Sequence, residues 1–111
     1  MCLVNSGPAT VVFDVGAAHS FITSQCAAKL NIPMSIMPRP MLVSSAKGNV
    51  KALHRCNNVN LQILGKDFWA NLIVVDSEGI DVVLGRGWLS KFHGEIQYAK
   101  KSVLLTSLDG E

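Results

Sequence analysis

The sequence predicts an all-β domain carrying one or two short helices, on three observations. Two short runs, Val11-Val12-Phe13 and Val82-Val83-Leu84, are apolar throughout and read as buried strands, each followed by a glycine turn and a short amphipathic segment. Asn58-Val59-Asn60-Leu61-Gln62-Ile63 alternates polar and apolar residues without a break, the period of a half-buried strand with Val59, Leu61 and Ile63 inward. Turn-forming clusters at Ala46-Lys47-Gly48-Asn49 and Gly65-Lys66 separate further apolar runs in the manner of hairpins.

Taken in order, residues 9–14 form the first inner strand, which ends on Asp14, with Gly16 two places on to permit a tight turn. At such a place an aspartate either hydrogen-bonds the turn or presents a reactive group from a rigid scaffold. Thr23 or Ser24 caps a short helix whose inward face is Ile22, Cys26, Ala27 and Leu30, and Asn31 and Pro33 end it. Pro33, Pro38 and Pro40 make the next stretch an extended connector rather than a regular element. Strands over residues 41–45 and 50–56 follow, joined by the 46–49 tip, then 58–63 and a longer strand over 68–75. A loop over 76–79 leads into the second inner strand, 81–84. A helix over 87–92 is expected to stop at His93-Gly94, and residues 95–99 and 102–106 to close the sheet as a final hairpin around Lys100-Lys101. The shared grammar of the two inner passes suggests two half-sheets related by approximate internal symmetry.

A chain of 111 residues is expected to be one domain, residues 1–111, with a modest core. Apolar residues make up 49% and charged residues 16%, so part of the surface is expected to meet a partner. The net charge of +2, from scattered lysines and arginines, is no footprint for nucleic acid. Cys2, Cys26 and Cys56 cannot all pair within one chain, and with no secretory signal before them reduced thiols in a cytoplasmic setting are expected. Asp76, Glu78 and Asp81 interrupt the longest apolar run, so no membrane span is expected. His19, His54 and His93 are too scattered for a metal centre, and Cys26 reads as core rather than as a nucleophile. Gly85-x-Gly87 is a weak dinucleotide fingerprint, because Ser90 stands where the third glycine belongs. Trp69 and Trp88 read as core or interface anchors.

With both inner passes in view, the chain resembles the retropepsins, the aspartic proteases of retroviruses and long-terminal-repeat retrotransposons, and above all those of gypsy-type elements in plant genomes. The resemblance rests on Asp14-Val15-Gly16-Ala17, His19-Ser20-Phe21-Ile22, Asp81-Val82-Val83-Leu84-Gly85 and Trp88-Leu89-Ser90-Lys91, in that order, and runs from about Val4 to Thr106. It implies a closed, barrel-like fold in which the hairpin near residues 47–49 is a flap over bound peptide. It also implies an aspartic endopeptidase cut from a polyprotein, in the cytoplasm or a virus-like particle. No metal or organic cofactor is implied, because water is the nucleophile.

That chemistry needs two carboxylates close enough to share one proton, so that one stays an acid while the other activates water. The chain offers one Asp-x-Gly at a strand end, so the resemblance implies a homodimer in which each copy contributes Asp14. Asp81 is set aside as the partner because it begins its strand where Asp14 ends one. Gly16, Ala17, Ala18, Lys47, Gly48 and Val83 are the implied peptide-binding positions, and Val15, Arg86 and Gly87 belong to the dimer-facing loops. Three departures bear on activity. Val15 replaces a Ser or Thr whose hydroxyl braces the paired loops at a buried place, and the loss is worth about 1–3 kcal/mol there. Ala18 and Gly87 also differ from the usual residues, so a module that keeps the fold, and binds peptide or dimerises without turnover, is the second reading.

Overall fold

Residues 2–45, 48–77 and 79–110 are described by the structure, a computed structural model. Along the chain come β1 (Cys2–Val4), β2 (Gly7–Pro8), β3 (Val11–Phe13), β4 (Phe21–Thr23), α1 (Ser24–Lys29), β5 (Ser35–Ser45), β6 (Gly48–Ile63), β7 (Lys66–Val75), β8 (Val82–Leu84) and α2 (Arg86–Gly110). One sheet holds them in the order β2-β1-β6-β7-β4-β8-β3, with β5 paired to β6 off this path. The mainly β class read from the sequence therefore stands, as a half-barrel.

Alternation decides which side of each strand is buried. On β6, Val59, Leu61 and Ile63 are 3%, 1% and 4% exposed, and they meet Phe68, Ala70 and Leu72 of β7 in the main core. Asn58 takes a left-handed φ of 52°, and its N–H donates to Asn71 Oδ1 at 2.9 Å. The β6–β7 register shifts between Cys56 and Val59, so the two strands expected over 50–56 and 58–63 are one strand with an irregularity. Leu64 and Gly65, both at positive φ, turn β6 into β7. Helix α1 starts as expected: Thr23 is its N-cap and its side chain accepts the Cys26 N–H at 3.1 Å, while Cys26 and Ala27 are buried.

Two expectations are corrected. Residues 35–40 are not a connector but the start of β5, with the two prolines placed where the ladder is interrupted. Pairing holds at Ile36–His54, resumes at Met41–Ala52 and skips Pro38 and Pro40, which have no N–H to offer. The final hairpin is absent too, because α2 runs on through Gly94. Trp88, Leu89, Phe92, Ile96 and Ala99 recur at helical spacing and are buried or half-buried. Trp88 packs against Phe92 and Phe68, with ring centroids 4.9 and 5.7 Å away. Gly94 is exposed in open space, where it weakens a helix by about 1 kcal/mol without ending it.

A second, smaller cluster of Met37, Ala52 and Ile73 seats the base of the β5–β6 hairpin on β7. The hairpin pairs as far as Ser45–Gly48. Ala46 and Lys47 of its tip lie outside the described residues.

Candidate active site

Strand β8 lies between β3 and β4, parallel to the first and antiparallel to the second. The chain leaving β3 must therefore loop over the end of β8 to reach β4, and residues 14–20 make that crossing. Asp14 is its first residue. The Asp14 N–H donates to the Leu84 carbonyl at 2.9 Å and so extends the β3–β8 ladder by one position. Its carboxylate Oδ1 accepts the Gly16 N–H at 2.9 Å, and its carbonyl accepts the Ala17 N–H at 3.1 Å. Asp14 thus both closes the turn and presents an exposed carboxylate; the two readings of the residue are compatible.

Asp81 sits at the other end of the same strands. Its Oδ2 accepts the Thr10 N–H at 2.8 Å and its own N–H donates to the Thr10 carbonyl at 3.0 Å. The register sets it four positions from the level of Asp14, roughly 13 Å along a strand. One chain therefore brings no second carboxylate to Asp14 by way of Asp81.

On either side of Asp14 in the chain the exposed side chains are apolar. Val15 is 72% exposed and Phe13 46%, with the Phe13 ring 6.5 Å from that of Trp88. Within one chain, position 15 is not the buried place anticipated, so any burial there comes from a second molecule. Ala17 is half-buried and Ala18 exposed. Arg86 and Gly87, both exposed, open α2 directly beneath the crossing, where the Arg86 N–H donates to the Ala17 carbonyl at 2.8 Å.

A cleft of about 180 Å³ lies between the hairpin and the sheet, with Val43 and Val50 on one wall and Phe21, Val75, Ile80 and Val83 opposite. Of the expected peptide-binding positions, Val83 is brought into this wall; Asp14, Gly16, Ala17 and Ala18 stand outside it. Gly48, at φ 105°, ends the described part of the hairpin, and Lys47 lies outside the described residues. Among the described residues no group of three His, Cys, Asp or Glu side chains is arranged to hold a metal. Burial pushes the Cys26 and Cys56 thiols up from their ordinary value, and the Asp81 carboxylate adds to the effect on Cys26.

Two residues at the crossing had drawn no role from sequence reasoning. A side chain at Gly85 would place its Cβ 2.3 Å from the His19 carbonyl oxygen and 2.7 Å from that of Ala17, so only glycine passes under the loop. The Gly85 N–H donates to Ser20 Oγ at 3.0 Å. The available signal is the glycine standing directly after the second inner strand, readable as a turn and as part of the family motif but not as a close passage beneath a loop.

The family described as retroviral aspartyl protease matches residues 1–111. Protein DDI1 homolog 2 of Danio rerio is 27% identical over 109 residues, covering 98% of this chain and 26% of that protein. Protein DDI1 homolog 2 of Homo sapiens is 26% identical over the same length. The chain thus spans about a quarter of the curated relatives it matches. Among solved structures, EIAV protease complexed with the inhibitor HBY-793 superposes with a TM-score of 0.66 at 22% identity, covering 83% of this chain and 84% of that one. The retroviral protease-like domain of Ddi1 from Leishmania major gives 0.59 at 16% identity, covering 83% and 71%. With the half-barrel, the crossing and the profile match in agreement, the chain belongs to the retroviral aspartyl protease family and has the retropepsin fold.

Proposed function

We propose that this domain is an aspartic endopeptidase that works as a homodimer, with Asp14 of each copy meeting across a two-fold axis. One observation carries the reading: an exposed carboxylate, oriented by the Gly16 N–H, stands between the exposed apolar side chains of Phe13 and Val15. An apolar rim around an acid fits a self-complementary contact better than open solvent. In the dimer one Asp14 is ionised and takes a proton from water as the water oxygen attacks the scissile carbonyl. The other is protonated and donates to the carbonyl oxygen; the proton taken from water then passes to the leaving amine as the C–N bond breaks, and the re-forming carbonyl returns its proton to the second carboxylate. The pair titrates as a unit. Gly16, Ala17 and Ala18 line the path of the peptide backbone, Gly48 belongs to the hairpin that covers it, and Val83 helps to form a side-chain pocket.

For the polypeptide that carries the domain, the reading is a gypsy-type retrotransposon polyprotein acting in the cytoplasm, supported by the order of the four motifs. The similarity to DDI1 homologues favours a DDI1-like protease domain instead. Long terminal repeats flanking the gene support the first, and a gene without them supports the second.

Peptide cleavage with and without pepstatin tests the chemistry, with Asp14→Asn as control. Cleavage that persists in Asp14→Asn overturns the site, and a chain that sediments as a monomer at every concentration overturns the dyad. Dimerisation and peptide binding without turnover establish the second reading, a protease-like binding module, which Val15, Ala18 and Gly87 favour.

A further inference from the structure

We propose that Ser20 is a positioning residue for Asp14, its hydroxyl tying the loop that bears the carboxylate to the end of β8. The inference rests on the reading of Asp14 as catalytic and adds a residue to that site.

The argument starts from an N–H that the sheet cannot serve. Gly85 is buried and follows the last residue of β8, where β4 no longer runs alongside, because β4 begins at Phe21 opposite Val83. The backbone of Ser20 is not available as acceptor, since its carbonyl takes the Ile73 N–H at 2.9 Å. The Ser20 hydroxyl takes the Gly85 N–H instead, at 3.0 Å. A buried donor left without a partner is expensive, so this bond holds β8 and the loop in one arrangement.

The bond also completes a bracket around Asp14. At one end of the crossing the Asp14 N–H is fixed to the Leu84 carbonyl, in the middle the Ala17 carbonyl is fixed by the Arg86 N–H, and at the far end Ser20 is fixed to Gly85. All three anchors fall on the consecutive residues Leu84, Gly85 and Arg86. Between Asp14 and Ser20 stand Val15, Gly16, Ala17, Ala18 and His19, none with a hydroxyl. Where Val15 offers no brace from the loop tip, Ser20 supplies one from within the same chain. The order of the loop therefore does not depend wholly on the second copy.

The test compares Ser20→Ala, Ser20→Thr and Ser20→Val in the dimeric protein. Two readouts are followed: exchange of the Gly85 amide, measured without substrate, and the separate values of kcat and KM. Expected for Ser20→Ala are Gly85 exchange faster by about tenfold and kcat lower by about tenfold, with KM within about twofold. Ser20→Thr, which keeps the hydroxyl, restores both. Should Ser20→Ala not fold, Thr and Val decide, being alike in shape and different in the hydroxyl. A folded Val variant with parental kcat and exchange overturns the proposal. So does folding by Thr alone, which would make the hydroxyl a requirement of folding rather than of positioning. Because Gly85 exchange is read without turnover, a domain that cleaves nothing defeats the catalytic reading while the bracket itself is still decided.

Discussion

Replacing Gly85 by alanine probes the crossing most directly, and its effect follows from the geometry. The added methyl would lie 2.3 Å from the His19 carbonyl oxygen and 2.7 Å from the Ala17 oxygen, both backbone atoms that cannot swing aside. Ordinary carbon–oxygen contacts begin near about 3.3 Å, so the loop or β8 must retreat by roughly 1 Å. Forced overpacking of this kind costs about 1–3 kcal/mol. The retreat also stretches the bonds from the Gly85 N–H to Ser20 and from the Arg86 N–H to Ala17, each worth about 1 kcal/mol. A total near 3–5 kcal/mol is a large share of the roughly 5–15 kcal/mol that holds such a domain folded. Gly87, two residues on, is the internal control, since a Cβ there meets nothing within 4 Å. In a helix, Gly87→Ala should be neutral or stabilising by up to about 1 kcal/mol. Urea unfolding of both variants and the parent, at one fixed protein concentration because self-association shifts the midpoint, reads the difference. Gly85→Ala within about 0.5 kcal/mol of the parent, or Gly87→Ala equally harmful, would refute the tight passage beneath the loop.

Other outcomes follow from single contacts. Thr23→Ala should lower stability by about 1–2 kcal/mol through loss of the α1 cap, and Thr23→Ser should recover most of it; equal urea midpoints for the parent and the alanine variant would count against the cap. Thiol labelling of the folded protein near neutral pH should modify Cys2 first and leave the buried Cys26 and Cys56 untouched until the chain unfolds. Both buried thiols stand above the ordinary value of 9.0 in the folded state, so the unfolded chain loses those protons first. Their contribution to stability is flat below that value and falls as pH rises past it, which urea midpoints on either side will show. Val15→Thr should tighten self-association by about tenfold and raise turnover, through one added hydrogen bond per chain across the axis. Sedimentation over a range of concentrations checks it, and an unchanged dimer constant with unchanged turnover would contradict the role given to that position.

The parts of this fold that were legible in the sequence are those fixed by neighbours along the chain. The alternation of residues 58–63 gave the buried face of β6 correctly, and the α1 cap was readable as Thr23 or Ser24, of which the structure takes Thr23. What could not be read was set by contacts distant in sequence. Gly94 looked like a stop, yet the packing of Trp88 and Phe92 on Phe68 carries α2 past it. Pro38 and Pro40 looked incompatible with a strand, but β6 supplies pairing on either side of them. At the candidate site, Asp14 and Gly16 announced a turn, whereas the need for glycine at position 85 arises only once residues 17 and 19 are laid across β8.

The length of β6 governs how the cleft can change shape. From Gly48 to the buried Ala52, which with Met37 and Ile73 seats the hairpin on β7, the strand overhangs by roughly 13 Å, while residues 61–63 are clamped between β1 and β7. A lever attached without an intervening loop has no slack, so load at its outer end converges on a fulcrum near Ala52. Val50 and Val43 belong to the arm, and Val83 and Ile80 to the bed. A change in the width of the cleft would therefore fall between jaw and bed rather than within the strands beneath.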